Sequence, residues 1–543
     1  MKKRLLCCLC ALAVLAATGT FAASADYSLP IDWLSPPPEA SPLPGDLDKD
    51  GAVTEDDAIY LLMYTFFPEE YPVADPASCD YDCDGEITED DAIHLLMYTF
   101  FPDDYPLTAT TQGDLASFDV SKDGVLQVYP EYDARIERDY TYDVSVRQGG
   151  TTRALTCYNH CDAVATSSRT VNGDAVRRFC EFAFADAAVR VDITVKQDFS
   201  SYTVMPSAKG FKSERHGNVI SVYLPKPDYF LLKLDDKDDS ILSVFADAPE
   251  TNVPKKGDPN VLYVEGWYQP DTWYLNITKE NYTVYLAPGA VLNARIQVSA
   301  KNVTIKGRGI LLDPFSNIYQ QDVSIDRTVN GTVCRFLHIR YPGCTVDGIK
   351  MIDARDFNLF SMAGGLKCTN FKVLSSEMCT DGITQSGDNS SYEHCFIYCG
   401  DNAIVISGGK NQKYKDMTLG TICCGIFPQT GTGEIDMTDV YIFRCDEGLM
   451  RNIYNPDGTE RSFDVKFTNV SVVDADHFPF LFVYGNMGSL PKTLTFTNLA
   501  VPVATGSNSS RTPSPTAANI QKYNGSTYDA SNYHLIFDGL SIG

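Results

Sequence analysis

Two aspartates, Asp381 and Asp401, stand 20 residues apart in the stretch "CTDGITQSGDNSSYEHCFIYCGDNAIVISGG", residues 379–409. Each is followed by a small or amide residue and then by an apolar run. Two carboxylates facing one groove can divide acid–base work. One protonates a leaving oxygen and the other activates water, as glycoside hydrolysis requires. The competing reading is that each aspartate only turns the chain, because a short acidic side chain satisfies nearby backbone donors.

A second acidic set, near the N-terminus, has a different chemistry. "DLDKDGAVTEDDAIYLLMYTFFPEEYP" is followed by "DYDCDGEITEDDAIHLLMYTFFPDDYP", offset by 34 residues from Asp46 to Asp80. Calcium takes six or more oxygens, and a 12-residue loop supplies them from positions 1, 3, 5, 7, 9 and 12. The first copy offers Asp46, Asp48, Asp50, the backbone of Ala52, Thr54 and Asp57. The second offers Asp80, Asp82, Asp84, the backbone of Glu86, Thr88 and Asp91. Gly51 and Gly85 fall at position 6, where the loop turns sharply. A helix should follow each loop, with Ile59, Leu62, Met63 and Phe66 on one apolar face. Two structural Ca2+ ions are expected.

The elements that must position Asp381 and Asp401 are strands. Residues 113–255 read as short alternating strands such as "DVSVRQ", "VRVDITVKQDF" and "NVISVYLP", without helical patterns between them. A β-sandwich is expected there. From about Val261, short strands bounded by Asn, Gly or Asp recur, mostly every 22–28 residues, as in "VTIKGRGIL", "CTVDGIKMI" and "VYIFRCDEG". That period is in the solenoid range. Stacked units of this kind bury one continuous interior, and a right-handed parallel β-helix over residues 256–543 is expected. Successive coils lie about 4.7–4.9 Å apart. Asp381 and Asp401 should therefore sit on neighbouring rungs.

Two resemblances follow. Residues 45–106 resemble type I dockerin, the duplicated calcium module that plugs enzymes into cohesin-bearing scaffoldins of cellulosomes. The resemblance implies a cohesin partner. Glu55-Asp56 and Glu89-Asp90 stand where that family selects its cohesin. Residues 260–500 resemble glycoside hydrolase family 28, the polygalacturonases, through "TDGI", "SGDNSSYEHCFIYCGDNAIVISGG", "APGAVL", "GRGIL" and "DEGLMRNIYN". A sandwich ahead of such a helix also resembles family 49, the dextranase group. The resemblance implies an inverting hydrolase with Asp401 as general acid, Asp381 activating water, and Arg451 and Tyr484 binding sugar. Asn402 stands where the family has a further aspartate, and an amide cannot take a proton. The family's lysine after Arg451 and its Gly-His-Gly histidine have no counterpart. The missing cation points away from a strict galacturonate and toward a neutral or mixed polysaccharide.

The whole chain agrees with an exported enzyme. Lys2, Lys3 and Arg4, an apolar run to about Ala17, and Ala23-Ser24-Ala25 read as a signal peptide over residues 1–25. A Pro-rich linker follows over residues 26–44. A net charge of −27 over 543 residues excludes nucleic acid and anionic membrane as partners. No later segment has the ~20 apolar residues of a membrane span. Export permits disulfides, and Cys157/Cys161 and Cys395/Cys399 are close in sequence, with Cys379 a further candidate. His394, inside a strand, reads as a packed or surface histidine, and His477 has no evident partner. Two other functions remain open: a β-helix polysaccharide lyase, which needs an Arg or Lys base, and a non-catalytic glycan-binding helix.

Overall fold

The computed structural model describes residues 45–543 apart from 69, 74–78, 80, 82–86, 103–119, 162–175, 236, 317–327, 330, 378, 430–431, 446–447, 453–461, 473–480, 484–492, 502–533 and 543. The expected signal peptide and linker, the loop positions Asp80, Asp82, Asp84 and Glu86, and Tyr484 and His477 lie outside the described residues. The chain divides into two compact units, Met1–Leu115 and Ala116–Gly543.

The first unit holds helices α1 (Glu55–Phe66) and α2 (Glu89–Phe100). Each starts on a threonine cap. The Thr54 hydroxyl accepts from the Asp56 amide, and the Asp57 carboxylate accepts from the Thr54 amide at 2.8 Å. Thr88 and Asp91 repeat the pattern. Such reciprocal capping satisfies donors that a helix start leaves open. The core between the helices is Ala58, Leu61, Leu62, Ala92, Leu95 and Leu96. The apolar face expected from the sequence is therefore rotated. Leu62 is buried, but Ile59 and Phe66 are 49% and 54% exposed.

The second unit opens with two sheets. One is six-stranded and includes Tyr158–Cys161, Val176–Ala185, Asp228–Leu234 and Lys237–Asp247. The other is five-stranded and includes Tyr142–Gln148, Val189–Val195 and Val219–Leu224. Val189, Val191, Ile193 and Val195 are buried while the residues between them are half-buried, the period of a strand with one covered face. These side chains share a core with Phe182, Phe184, Phe230 and Leu232 of the first sheet.

From Val261 the chain is mainly short parallel strands stacked rung on rung, a parallel β-solenoid. One face is a nine-stranded parallel sheet that runs from Tyr274–Ile277 through Leu359–Ser361, Ile383–Gln385 and Ile404–Ile406 to Leu481–Val483. Ile296, Leu337, Leu359, Ile383, Ile404 and Ile426 of this sheet point into one continuous apolar interior. Cys157, Cys395 and Cys399 are thiols rather than bridged. Cys395 and Cys399 donate to carbonyls of Cys368 and Asp401, so the expectation of a bridge between them is corrected. Both thiols are buried in the interior, and neighbouring carbonyls accept their S–H hydrogen bonds.

The outer face of the six-stranded sheet packs on the solenoid. Phe179, Tyr229 and Phe245 meet Ile310, Ile352, Leu374 and Phe396. Charges are buried in this seam. Lys350 pairs with Glu181 at 2.6 Å, Lys372 with Asp247 at 2.6 Å, and Arg308 lies 3.6 Å from Asp247. Lys350, Lys372 and Asp247 are almost fully shielded from solvent. Burial pushes the Lys372 ammonium down to about 8 against the pull of Asp247. Removing one partner of a buried pair strands the other charge, which costs about 3–5 kcal/mol. Lys372→Met should therefore destabilise the protein by about that much in denaturant unfolding. Adding Asp247→Asn should not recover the loss, because buried Arg308 then loses its nearest carboxylate as well.

Candidate active site and acidic loop

Strand Ile383–Gln385 pairs with Ile404–Ile406, and Ile383 stands opposite Ile404. The match continues into the corner before the strands. Gly382 donates to the Asn402 carbonyl and Ile383 to the Ala403 carbonyl, both at 3.0 Å. Asn402 is thus stacked on Asp381, and Asp401 is one position back. The structure brings Asp381 and Asp401 together on neighbouring rungs, one residue out of line.

Asn402 joins them. Its Nδ2 donates to Asp381 Oδ1 at 3.0 Å and to Asp401 Oδ1 at 2.8 Å. Its backbone N–H also faces both oxygens, at 3.2 and 2.9 Å. Both Oδ1 atoms therefore lie within hydrogen-bond reach of one amide nitrogen. That is a tighter spacing than the about 6.5–9.5 Å between carboxyl groups of an inverting pair. Asn402 is itself held from the next rung, where the Cys423 thiol donates to its Oδ1 at 3.5 Å. The Asp401 carbonyl accepts from the Thr421 hydroxyl and, at 3.2 Å, from the Cys399 thiol.

Asp381 is 4% exposed and Asp401 is half-buried. Burial pushes the Asp381 carboxyl up to about 8, the Asp401 and Asp356 charges push the same way, and the two Asn402 donors pull it back. Arginines are close at hand, but carboxylates already hold them. Arg355 pairs with Glu377 at 2.8 Å, and Arg335 reaches both Asp356 oxygens at 2.5 and 2.6 Å. Arg295 is locked to Asp313 at 2.8 Å, with both side chains fully buried. In the free protein burial keeps a proton on Asp381 near neutral pH.

Arg451 lies in strand Gly448–Asn452 of the same nine-stranded sheet, opposite Phe482. Tyr484 adjoins the end of the next strand, outside the described residues. Sequence reasoning missed Asp356, Arg335 and Cys423. Of these, Asp356 had a signal in "RDFNLF", an acidic corner before an apolar strand one rung ahead of Asp381. His394 is partly exposed. Its Nδ1 meets Asp416 on the next rung at 2.5 Å, and its ring lies 4.2 Å from Tyr229.

In the acidic loop, Asp46, Asp48 and Asp50 each bring a carboxylate oxygen within 4.8 Å of the others. Burial raises the Asp48 carboxyl, and the like charges of Asp50, Asp46 and Asp56 add to that. Crowded carboxylates of this kind fit a hard divalent cation, whose charge would relieve the repulsion. Asp57 faces the backbone instead. Its oxygens accept from Leu47, Asp48 and Thr54 at 2.6, 3.0 and 2.8 Å. Asp91 does the same with Tyr81 and Thr88. The structure therefore groups three of the six ligands expected in the first loop.

No family model matches the chain, and no curated protein does. Solved structures match its fold. It is similar to Dex49A from Penicillium minioluteum at 14% identity and a TM-score of 0.50, over 78% of this chain and 97% of that one. It also matches an exopolygalacturonase from Thermotoga maritima at 14% identity and TM-score 0.31, over 45% of this chain and 73% of that one. A third match is a GH87 α-1,3-glucanase from Streptomyces thermodiastaticus at 12% and 0.31, over 77% and 86%. At these identities the likeness is one of fold.

The raised Asp381 carboxyl has a stability consequence. A folded pKa of about 8 against an ordinary 3.8 means that the folded state binds the extra proton between those values. Stability then falls as pH rises through that window. Asp381→Asn should leave stability at pH 4 nearly unchanged. At pH 8 it should raise stability by on the order of 1 kcal/mol or more. Thermal unfolding at the two pH values measures the difference.

Proposed function

We propose that this chain is a secreted glycoside hydrolase that cleaves an extracellular polysaccharide with Asp381 and Asp401, and that its calcium-loop module docks it on a cohesin-bearing scaffold. The observation that carries the catalytic part is the Asn402 amide, which donates to two carboxyls on adjacent rungs. A sugar packed over Asp401 strips its water and favours its protonated form. The proton then lies on the half-exposed carboxyl, ready for the leaving oxygen. Asp381, ionised and steadied by the two Asn402 donors, takes a proton from the attacking water. The bond to the leaving sugar breaks, water's oxygen joins C1, and the pair ends with its single proton exchanged.

The environments of the two carboxyls keep these roles apart, as acid–base pairs need. Asp381 is an awkward nucleophile, because it is buried and its Oδ1 already accepts two N–H bonds. We assign inversion on that ground alone; the short spacing set by Asn402 leaves no room for the water between the carboxyls, so it would sit to one side of them. Arg451, on the same sheet two strands beyond Asn402, would grip the sugar, with Tyr484 beside it. Fold likeness to a dextranase-type structure supports polysaccharide as the substrate class.

Asp401→Asn should cut turnover by about 10²–10⁴ on whichever polymer the wild type cleaves, as read by reducing-sugar release. The wild-type kcat/KM should fall on the alkaline side, near pH 8, as Asp381 loses its proton. Proton NMR of the first product should show the inverted anomer, and retention would make Asp381 a nucleophile. Polymer binding without cleavage would replace the hydrolase with a glycan-binding helix, and a product with a new double bond would make it a lyase.

The docking part rests on the acidic loop and on the repeated helices. Ile59, Phe66 and Phe67 on the first copy and Ile93 and Phe101 on the second are exposed apolar side chains in matching positions. Paired apolar patches of this kind suit a protein partner. The first loop would hold Ca2+ through Asp46, Asp48 and Asp50, with Ala52 and Thr54 beside them, and the second through Asp80, Asp82, Asp84, Glu86 and Thr88; Asp57 and Asp91 would join only by giving up backbone donors. Calorimetric titration of the full chain should show two calcium sites. Asp48→Ala should weaken one of them at least about tenfold. Polymer cleavage should not change. An intact calcium response in Asp48→Ala would refute the ligand assignment.

A further inference from the structure

The core between the five- and six-stranded sheets holds two cysteines. Cys157 and Cys180 are 3% and 0% exposed and pack in one cluster with Val144, Val191 and Phe182. They are 23 residues apart in sequence, and both are thiols in the structure. Strand Tyr158–Cys161 runs antiparallel to Val176–Ala185, with Tyr158 opposite Phe179. One step back, the same register sets Cys157 opposite Cys180. Their side chains hydrogen-bond to each other.

The backbone around them shows which kind of opposite pair this is. The Cys157 carbonyl accepts from the Asp139 amide at 2.9 Å, and the Asn159 amide donates to the Glu137 carbonyl at 3.0 Å. Both groups thus turn away from Val176–Ala185. Backbone groups alternate sides along a strand, so those of Tyr158 face Phe179 and those of Cys157 do not face Cys180. Cys157 and Cys180 are therefore a non-hydrogen-bonded pair. Such pairs have Cα atoms about 4.5 Å apart, and a disulfide spans Cα separations of about 4.4–6.8 Å. The cysteine nearest in sequence fails this test. Cys161 lies four residues along the same strand from Cys157, about 13 Å away at about 3.3 Å per residue.

The solenoid uses its thiols differently. Cys334, Cys344, Cys395, Cys399 and Cys424 each donate to a backbone carbonyl. Cys157 and Cys180 meet sulfur to sulfur, and a thiol is both a weak donor and a weak acceptor. A covalent bond there would fasten the strand that carries the seam. Phe179 and Glu181 flank Cys180 and face the solenoid, where Glu181 meets Lys350 at 2.6 Å.

We propose that Cys157 and Cys180 are a disulfide site, closed when the exported chain folds in the presence of a disulfide oxidant. One cysteine, as thiolate, attacks the oxidant's disulfide and forms a mixed disulfide, and one thiol of the oxidant leaves. The second cysteine, as thiolate, attacks the mixed disulfide, and the oxidant's other thiol leaves. Two electrons and two protons pass to the oxidant. The Cys157 hydrogen bond and burial hold the Cys180 thiol well above its usual range in the closed sheets, so the bond forms during folding rather than after it. The inference rests on the export part of the reading above. The chemistry at Asp381 and Asp401 does not enter it.

The full chain is reduced in denaturant, refolded with reduced and oxidised glutathione, then alkylated in denaturant without reductant and digested. Mass spectrometry should find the Cys157 and Cys180 peptides joined. The chain secreted from cells under its own residues 1–25 should carry the same link. The oxidised protein should unfold about 3–8 °C above the reduced one, and Cys180→Ala should erase that gap. Alkylation of both cysteines after refolding would overturn the pairing, and so would a link from Cys157 to Cys161. A gap that survives in Cys180→Ala would place the stabilising bond elsewhere and overturn it too. A link that forms with glutathione but is missing from the secreted chain would keep the pairing and overturn its closure on export.

Discussion

Everything at the site depends on the register between neighbouring parallel strands. Rungs are fixed about 4.8 Å apart by backbone hydrogen bonds, so a residue's neighbours along the stack are set by how many residues each coil contains. From Ile383 to Ile404 that number is 21, and from Ile404 to Ile426 it is 22. Those steps put Asn402 on Asp381 and bring Cys423 beside Asn402. One residue more or fewer in the coil would stack a different side chain on Asp381. It would also turn the strand's inward isoleucines to the outside. The apolar interior thus enforces the register, and the register enforces the carboxyl geometry.

The same constraint explains why a charged site can exist in a strand-rich wall. Buried carboxylates survive only if something satisfies them. Asp313 and Asp356 are met by arginines from earlier rungs, Glu377 by Arg355, and Glu181 and Asp247 by lysines across the seam. Asp381 is met by an amide, which supplies donors but no charge. That difference leaves its proton in place. An aspartate at 402 would remove the donor and add a third negative charge. The amide at this position is therefore a way of holding two carboxyls close without a cation.

The sequence made part of this legible. The period of short strands, the alternation in "VRVDITV", and the pairing of Asp381 with Asp401 all follow from local patterns, because a solenoid's contacts are between residues about one coil apart. The stacking of Asn402 rather than Asp401 on Asp381 was not readable. It depends on one residue in a corner, and a spacing of 20 or 21 looks the same in sequence. The buried seam was also hidden. Glu181 sits in "VRRFCEFAFA" and its lysine is 169 residues away. Helix α1 misled for a different reason: its residues are apolar nearly all round, so no stripe marks which side faces α2.

The contrast between the two acidic clusters is instructive about charge and function. Asp46, Asp48 and Asp50 crowd together on a loop with water at hand, where repulsion is tolerable and a cation can enter. Asp381 and Asp401 crowd together where burial has removed the water, and the cheaper response is to keep a proton. One arrangement suits a cation and the other a retained proton, although both are built from aspartates a few ångströms apart. Solvent access decides between them. That is also why the two carboxyls differ: Asp401 keeps contact with solvent and Asp381 does not.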